Sequence, residues 1–159
     1  DHSMSRAPIA TAADMMAKRL VTVRPDDAVE DAVRRLVRKG HSGAPVVDAS
    51  GALVGVMTEH DCIRVMAQAV AEGWPSGKVE DQMTREVETV APTEDALALS
   101  TRFTRGRHRR LLVVDGGRLV GLVSRRDLLQ ALEKMEKAID HARDKSTYEA
   151  IDERHRELD

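Results

Sequence analysis

Two short polar signatures stand out for the chemistry they could do. Thr58 and Asp61 lie three residues apart in Gly55-Val-Met-Thr58-Glu-His-Asp61, and Ser124 and Asp127 repeat the arrangement in Gly121-Leu-Val-Ser124-Arg-Arg-Asp127. Residues three apart share a face of a helix. An ionised carboxylate accepts several hydrogen bonds, which suits the two cis hydroxyls of a ribose. A hydroxyl beside the free N–H groups of a helix N-terminus suits a phosphate. The same pattern also describes a capping box, in which the acid closes the first turn. The two readings are compatible, because a cap can also touch a ligand.

The signatures belong to a longer repeat. Asp14-Met-Met16 matches Asp81-Gln-Met83, and Thr22-Val23-Arg-Pro25 matches Thr89-Val90-Ala-Pro92, at the offset of 67 that separates Pro25 from Pro92. After the Asp48 and Asp115 turns the offset is 66, that of Gly55 to Gly121, because Ala49-Ser50-Gly51 becomes Gly116-Gly117. A deletion in a turn is the tolerated kind.

Each copy must position its signature with the same elements. An extended segment, Val21–Val23 or Glu88–Val90, ends before X-Pro, which disfavours helix. Pro25-Asp26-Asp27 and Pro92-Thr93-Glu94-Asp95 are expected to start a helix, with acids complementing its dipole. The stripe Val29, Ala32, Val33, Leu36 and Val37 has helical spacing, and Gly40 is expected to end it. Ala44–Val47 and Leu53–Met57 read as two strands around a turn, and Leu111–Val114 and Leu119–Val123 as their counterparts. A second helix then starts near Thr58 and near Ser124. The unit is β-α-β-β-α, and one copy alone would be too small to cover both faces of its sheet.

Bulk properties narrow the function. With 159 residues and 42% hydrophobic content the chain can bury a core. Aromatics are only 2%, so single-stranded nucleic acid would find few stacking platforms. A net charge of −2 gives no global pull toward DNA or acidic membranes, so neither is an expected partner. The single cysteine, Cys62, rules out an internal disulfide and cysteine-based zinc sites, and a reducing, cytoplasmic setting is expected. Cys62 reads either as a redox-sensitive thiol or as a small buried residue. His41, His60 and His108 have no metal-ligand spacing, no nucleophile–base pair is legible, and no enzyme is expected. Asp1-His2-Ser3 before Met4 reads as an expression remnant.

Thr-Val-x-Pro, Pro-Val-Val-Asp, Gly-x-Leu-Val-Gly and Thr-x-x-Asp, in that order and twice over, resemble the CBS-domain family, and the tandem pair resembles a Bateman module. The resemblance covers about residues 12–69 and 79–132. It implies an α+β fold of two β-α-β-β-α repeats related by a pseudo-twofold axis and packed sheet to sheet. The expected organisation is an N-terminal segment (1–11), a first repeat (12–72), a linker (73–78), a second repeat (79–133) and a charged helical extension (134–159).

The resemblance also implies a ligand: AMP, ADP, ATP or an S-adenosyl compound, held in clefts between the repeats. Asp61 and Asp127 would hold ribose, with Thr58 and Ser124 near ribose or phosphate. Adenine would lie against Thr22-Val23, Thr89-Val90, Ala44-Pro45 and Leu111-Leu112, which could equally be ordinary core. Arg105, Arg107, His108, Arg109 and Arg110 crowd the loop before the second repeat's middle strand, and Arg125 follows Ser124. Arginine forks bind phosphate bidentately, so Arg110 and Arg125 favour the second cleft for a polyphosphate; a solvated basic face is the alternative. Leu112 stands opposite Pro45, a departure from the family pattern.

Leu128, Leu132, Met135, Ile139 and Ala142 extend the last helix beyond its counterpart. It needs a partner: the N-terminal segment, a second subunit or an effector. A solvated, fraying tail after about residue 145 is the other reading. The expected function is a regulatory sensor, working as a homodimer with an unidentified effector protein and needing no cofactor or metal. The competing expectation is a structural dimerisation module with empty clefts.

Overall fold

The computed structural model describes residues 9–158, so Asp1-His2-Ser3 lies outside them. The described residues form six helices and five strands: α1 (Ala12–Met15), α2 (Val29–Arg38), β1 (Ala44–Val47), β2 (Leu53–Met57), α3 (Glu59–Glu72), α4 (Val79–Gln82), β3 (Thr89–Val90), α5 (Ala96–Arg105), β4 (Arg110–Asp115), β5 (Arg118–Ser124) and α6 (Arg125–Leu158). The content is α+β, as expected.

These elements form two compact units, and neither is one of the sequence repeats. One unit takes residues 17–92 and 111–122; the other takes the described residues up to Met16, residues 93–110 and residues 123–158.

The first of these units holds the larger core. Val29, Ala32, Val33 and Leu36 of α2 turn inward at 1% exposure or less, the one-sided spacing of an amphipathic helix. They meet Val23, Ala44, Val46, Met57, Cys62, Val65 and Val79. Trp74 packs against this cluster and carries the Arg34 guanidinium over its ring. β1 and β2 pair antiparallel, Ala44 opposite Met57, with a bulge between Val46 and Val47. β3 pairs parallel with β4, and β4 is hydrogen-bonded to β5 across a turn made by Gly116 (φ 56) and Gly117 (φ 79). Two successive positive φ values are what a tight hairpin of this hand demands.

Three expectations on elements change. Val21–Val23 is not a strand: only Val23 pairs, in a single parallel bridge to Val46, and Arg24-Pro25 follows at once. The helices start four residues after each proline, at Val29 and Ala96. In the first copy the Asp27 carboxylate accepts the Arg24 N–H at 2.9 Å and shapes a turn; in the second, Asp95 caps the helix through the Ala98 N–H at 2.9 Å. The two short helices α1 and α4 were not anticipated. Each places an aspartate, Asp14 or Asp81, on the backbone N–H three residues before it.

In the other unit, α6 packs against α5 and α1. Ala12, Ala96, Leu99 and Leu128 are buried, and Arg102 is hydrogen-bonded to Glu94. α6 spans 34 residues, about 51 Å at 1.5 Å per residue. The helical extension continues through the stretch after residue 145 for which a fraying tail was the other reading, with Ile139 and Ile151 about half exposed.

Candidate functional site

Both signatures sit where a strand passes into a helix. The Thr58 N–H donates to Asp61 Oδ2 at 2.9 Å, and the Asp61 N–H donates to Thr58 Oγ1 at 3.1 Å. Ser124 and Asp127 repeat these bonds at 2.9 and 3.1 Å. The capping box is therefore real in both copies.

Around the carboxylates the copies differ. Asp61 is 6% exposed. Its Oδ2 also accepts the Thr84 hydroxyl at 2.8 Å, and its Oδ1 accepts Arg64 at 3.1 Å. Arg64 reaches on to the Gln82 carbonyl at 2.9 Å and the Gln82 side-chain oxygen at 3.2 Å. Burial on its own would raise the Asp61 pKa. The bonds from Thr58, Thr84 and Arg64 outweigh it and hold the carboxyl below the usual aspartate value. The neighbouring Cys62 thiol is pushed up by burial and then by the Asp61 charge, which favours the inert, buried reading over a reactive thiolate.

Asp127 is half-buried, and the bonds that hold it come from Ser124. Its repeat carries Gln130 where the first has Arg64, and Thr84, itself in the second repeat, has Ala17 as its counterpart in the first. The arginines expected to border it are partly spent: Arg125 Nε donates to the His108 carbonyl at 2.8 Å, and Arg110 is exposed at the start of β4.

The unit that holds Asp61 also holds a cavity of about 200 Å³. Leu53, Val54 and Val114 give it apolar wall, with Gly55 and Gly117 as backbone floor. Arg85, Val87 and Thr89 line it in alternation, the period of an extended chain. Thr84 bonds Asp61, and the next residue, Arg85, lines the cavity. The Thr84 strip is pinned to β2 by two backbone bonds with Val56, at 2.8 and 2.9 Å. Only glycine fits at position 55, where a Cβ would lie 2.7 Å from Met83 Sδ and 2.8 Å from the Thr84 carbonyl oxygen. Gly55→Ala is expected to push the strip off β2 and destabilise by about 1–3 kcal/mol, the usual cost of overpacking, read as a lower midpoint in thermal unfolding.

Of the other residues expected to touch a ligand, Thr89 lines the cavity and Thr22 is half-buried. Val23, Val90, Ala44, Pro45, Leu111 and Leu112 are buried, so their side chains serve as core. Val23 has no backbone group to spare either, its N–H donating to Pro45 and its carbonyl accepting from Val47. Thr84, Arg64 and Arg85 were missed. The signal for Thr84 lay in the repeat itself: Met83-Thr84 aligns with Met16-Ala17, so the hydroxyl occurs once.

The CBS domain profile matches residues 12–68 and 77–134. Among solved structures, CBSX2 in complex with AMP is 28% identical with a TM-score of 0.67, covering 80% of this chain and 98% of that one. The CBS domain pair of protein MJ0100, in complex with 5′-methylthioadenosine and S-adenosyl-L-methionine, is 26% identical with a TM-score of 0.63, covering 80% and 98%. The uncharacterized protein MJ1225 of Methanocaldococcus jannaschii is 29% identical over 75% of this chain and 41% of its own length. Inosine-5′-monophosphate dehydrogenase of the same organism is 33% identical over 74% of this chain but 22% of the enzyme. The chain thus spans less than half the length of these curated relatives. With both copies matched and their signatures in place, the chain belongs to the CBS domain family, as a tandem pair.

Proposed function

We propose that this CBS pair is a regulatory module that binds an adenine nucleotide or adenosyl compound. The base enters the cavity between Leu53, Val54, Val87 and Val114, and the ribose meets Asp61 and Thr84. The observation that carries the reading is a buried, ionised carboxylate at a strand-to-helix corner, in a unit that also holds an apolar-walled cavity. At about 200 Å³ the cavity is below the roughly 300–1,000 Å³ of whole-ligand pockets, so it takes a base and leaves the rest of the ligand outside.

The hydrogen-bond inventory suits a diol. A carboxylate has about four lone-pair sites, and those of Asp61 receive Thr58, Thr84 and Arg64. One ribose hydroxyl can donate to the remaining site on Oδ1. The other can donate to Thr84 Oγ1, whose own proton is already committed to Asp61. The likeness to CBSX2 bound to AMP and to the MJ0100 pair bound to adenosyl compounds supports this class of ligand. Ser124 and Asp127 form a second, differently furnished corner. Binding biases conformation or pairing with a second copy, by no more than the ligand's differential affinity for the two states. The module acts on an effector protein in the cytoplasm and does no catalysis of its own.

A panel of AMP, ADP, ATP and S-adenosylmethionine tests this by thermal shift. At a hundredfold excess over Kd, a ligand is expected to stabilise by about 2.7 kcal/mol. Asp127→Ala should leave intact the part of that shift due to the Asp61 corner. A panel in which nothing stabilises the protein, while it stays a tight dimer, would favour the purely structural reading.

A further inference from the structure

Past Met135 the last helix runs bare. From Glu136 to Asp152 the described side chains of α6 are all exposed. A helical stretch of this length that buries no face is marginal in water. Its apolar stripe nevertheless has a definite course. It begins at buried Leu128, passes through half-buried Leu132 and Met135, and emerges at Ile139, 46% exposed, followed by Ala142 and Ser146. Steps of four and three residues in alternation are the a and d spacing of a two-stranded coiled coil. The Glu133–Lys137 pair, at 3.0 Å, falls off this stripe.

Charge says which surface covers the stripe. Glu136 and Arg143 flank it on the same side, seven residues apart. The neighbours of Glu136 at three and four residues are Leu132, Glu133, Ile139 and Asp140, none of them a cation. Neither Glu136 nor Arg143 has an ion-pair partner among the described residues. We infer that the far half of α6 pairs antiparallel with the same segment of a second copy of this chain. The two helices cross at a point between Asp140 and His141. Ile139 then lies opposite the partner's Ala142, large against small, and Glu136 opposite the partner's Arg143. Twofold symmetry makes each contact occur twice. The same register sets Leu129, 68% exposed, opposite the partner's Ala150. A parallel pair would stack Ser146 on Ser146 in the seam and bring Ala138 to Arg143, so no opposite charges would meet. The inference rests on the pairing of copies proposed above and on no ligand.

Sedimentation equilibrium on the whole chain tests this. Ile139→Asp is expected to raise the dimer dissociation constant more than tenfold. Glu136→Arg and Arg143→Glu each replace two attractions by two repulsions, and each should weaken the dimer about tenfold. The double variant, Glu136→Arg with Arg143→Glu, should recover the wild-type constant, which general damage to the helix would not allow. A monomeric wild-type chain would overturn the pairing itself, and this surface with it. A dimer indifferent to Ile139→Asp would leave pairing standing and remove α6 as its surface. Single charge reversals without effect, or a double variant no tighter than either single one, would overturn the antiparallel register.

Discussion

Asp61→Ala is expected to lose both stability and ligand response. The substitution strips the partner from the Thr58 N–H, the Thr84 hydroxyl and Arg64. Loss of a helix cap costs about 1 kcal/mol, and leaving buried donors unpaired adds a similar amount, so a loss of about 2 kcal/mol is expected. The nucleotide-induced shift belonging to this corner should vanish, whereas the Asp127→Ala protein should keep it. A pH series separates this from a generic defect. Because the Asp61 pKa is lowered in the fold, its contribution is fully present above the unfolded aspartate value of about 3.9 and is lost as pH falls through the folded value. The stability gap between wild type and Asp61→Ala should therefore be flat above about pH 5 and narrow below about pH 4. A gap that widened on acidification would contradict an ionised, hydrogen-bonded Asp61.

Leu36→Ala is expected to be the costliest single change in the core. Leu36 is fully buried, in a cluster of small aliphatic side chains. The chain has one Phe, one Trp and one Tyr in all, so few large side chains are at hand to collapse into a vacated space. A loss of about 2–5 kcal/mol is the range for such truncations. Its neighbour Val37 is 55% exposed, and Val37→Ala should stay within about 0.5 kcal/mol. Denaturant midpoints of the two variants check the contrast, and similar midpoints would mean that α2 does not face inward as described.

The parts of the fold that were legible are those where local chemistry and tertiary need agree. β1 and β2 begin and end at the expected residues, because Asp48-Ala-Ser-Gly51 can only turn and the runs on either side can only pair. Helix starts came late, because a proline and acids signal a turn as readily as a first helical turn, and Asp27 chose the turn. Val23 reads as strand from its type, yet pairs at a single bridge, since the proline two residues on has no N–H to continue a ladder. The signatures themselves were plain, and so was the capping box.

The rest of the candidate site was hidden by the method that found the repeat. Alignment of two copies draws the eye to what recurs. Thr84, Arg64 and Arg85 matter through what does not recur, since their counterparts are Ala17, Gln130 and Lys18. The arginines beside the second copy looked like the distinguishing feature, but Arg125 turns back onto the His108 carbonyl. Charge in a sequence does not say which way a side chain points.

The two compact units are each assembled from separated pieces of chain, and this bears on how the protein is made. The unit built on α2 and the first strands needs residues 111–122, far downstream of its first stretch, and the other unit needs residues from before Met16 and from beyond Val123. A ribosome delivering the chain from its N-terminus can therefore finish neither unit until most of the sequence has emerged. Cutting between the copies would leave each half without strands or helices that the other encodes. Domain-by-domain folding during synthesis, the usual protection of longer chains, is closed to it. Folding is therefore expected to come late in synthesis, with closure of long loops setting the pace.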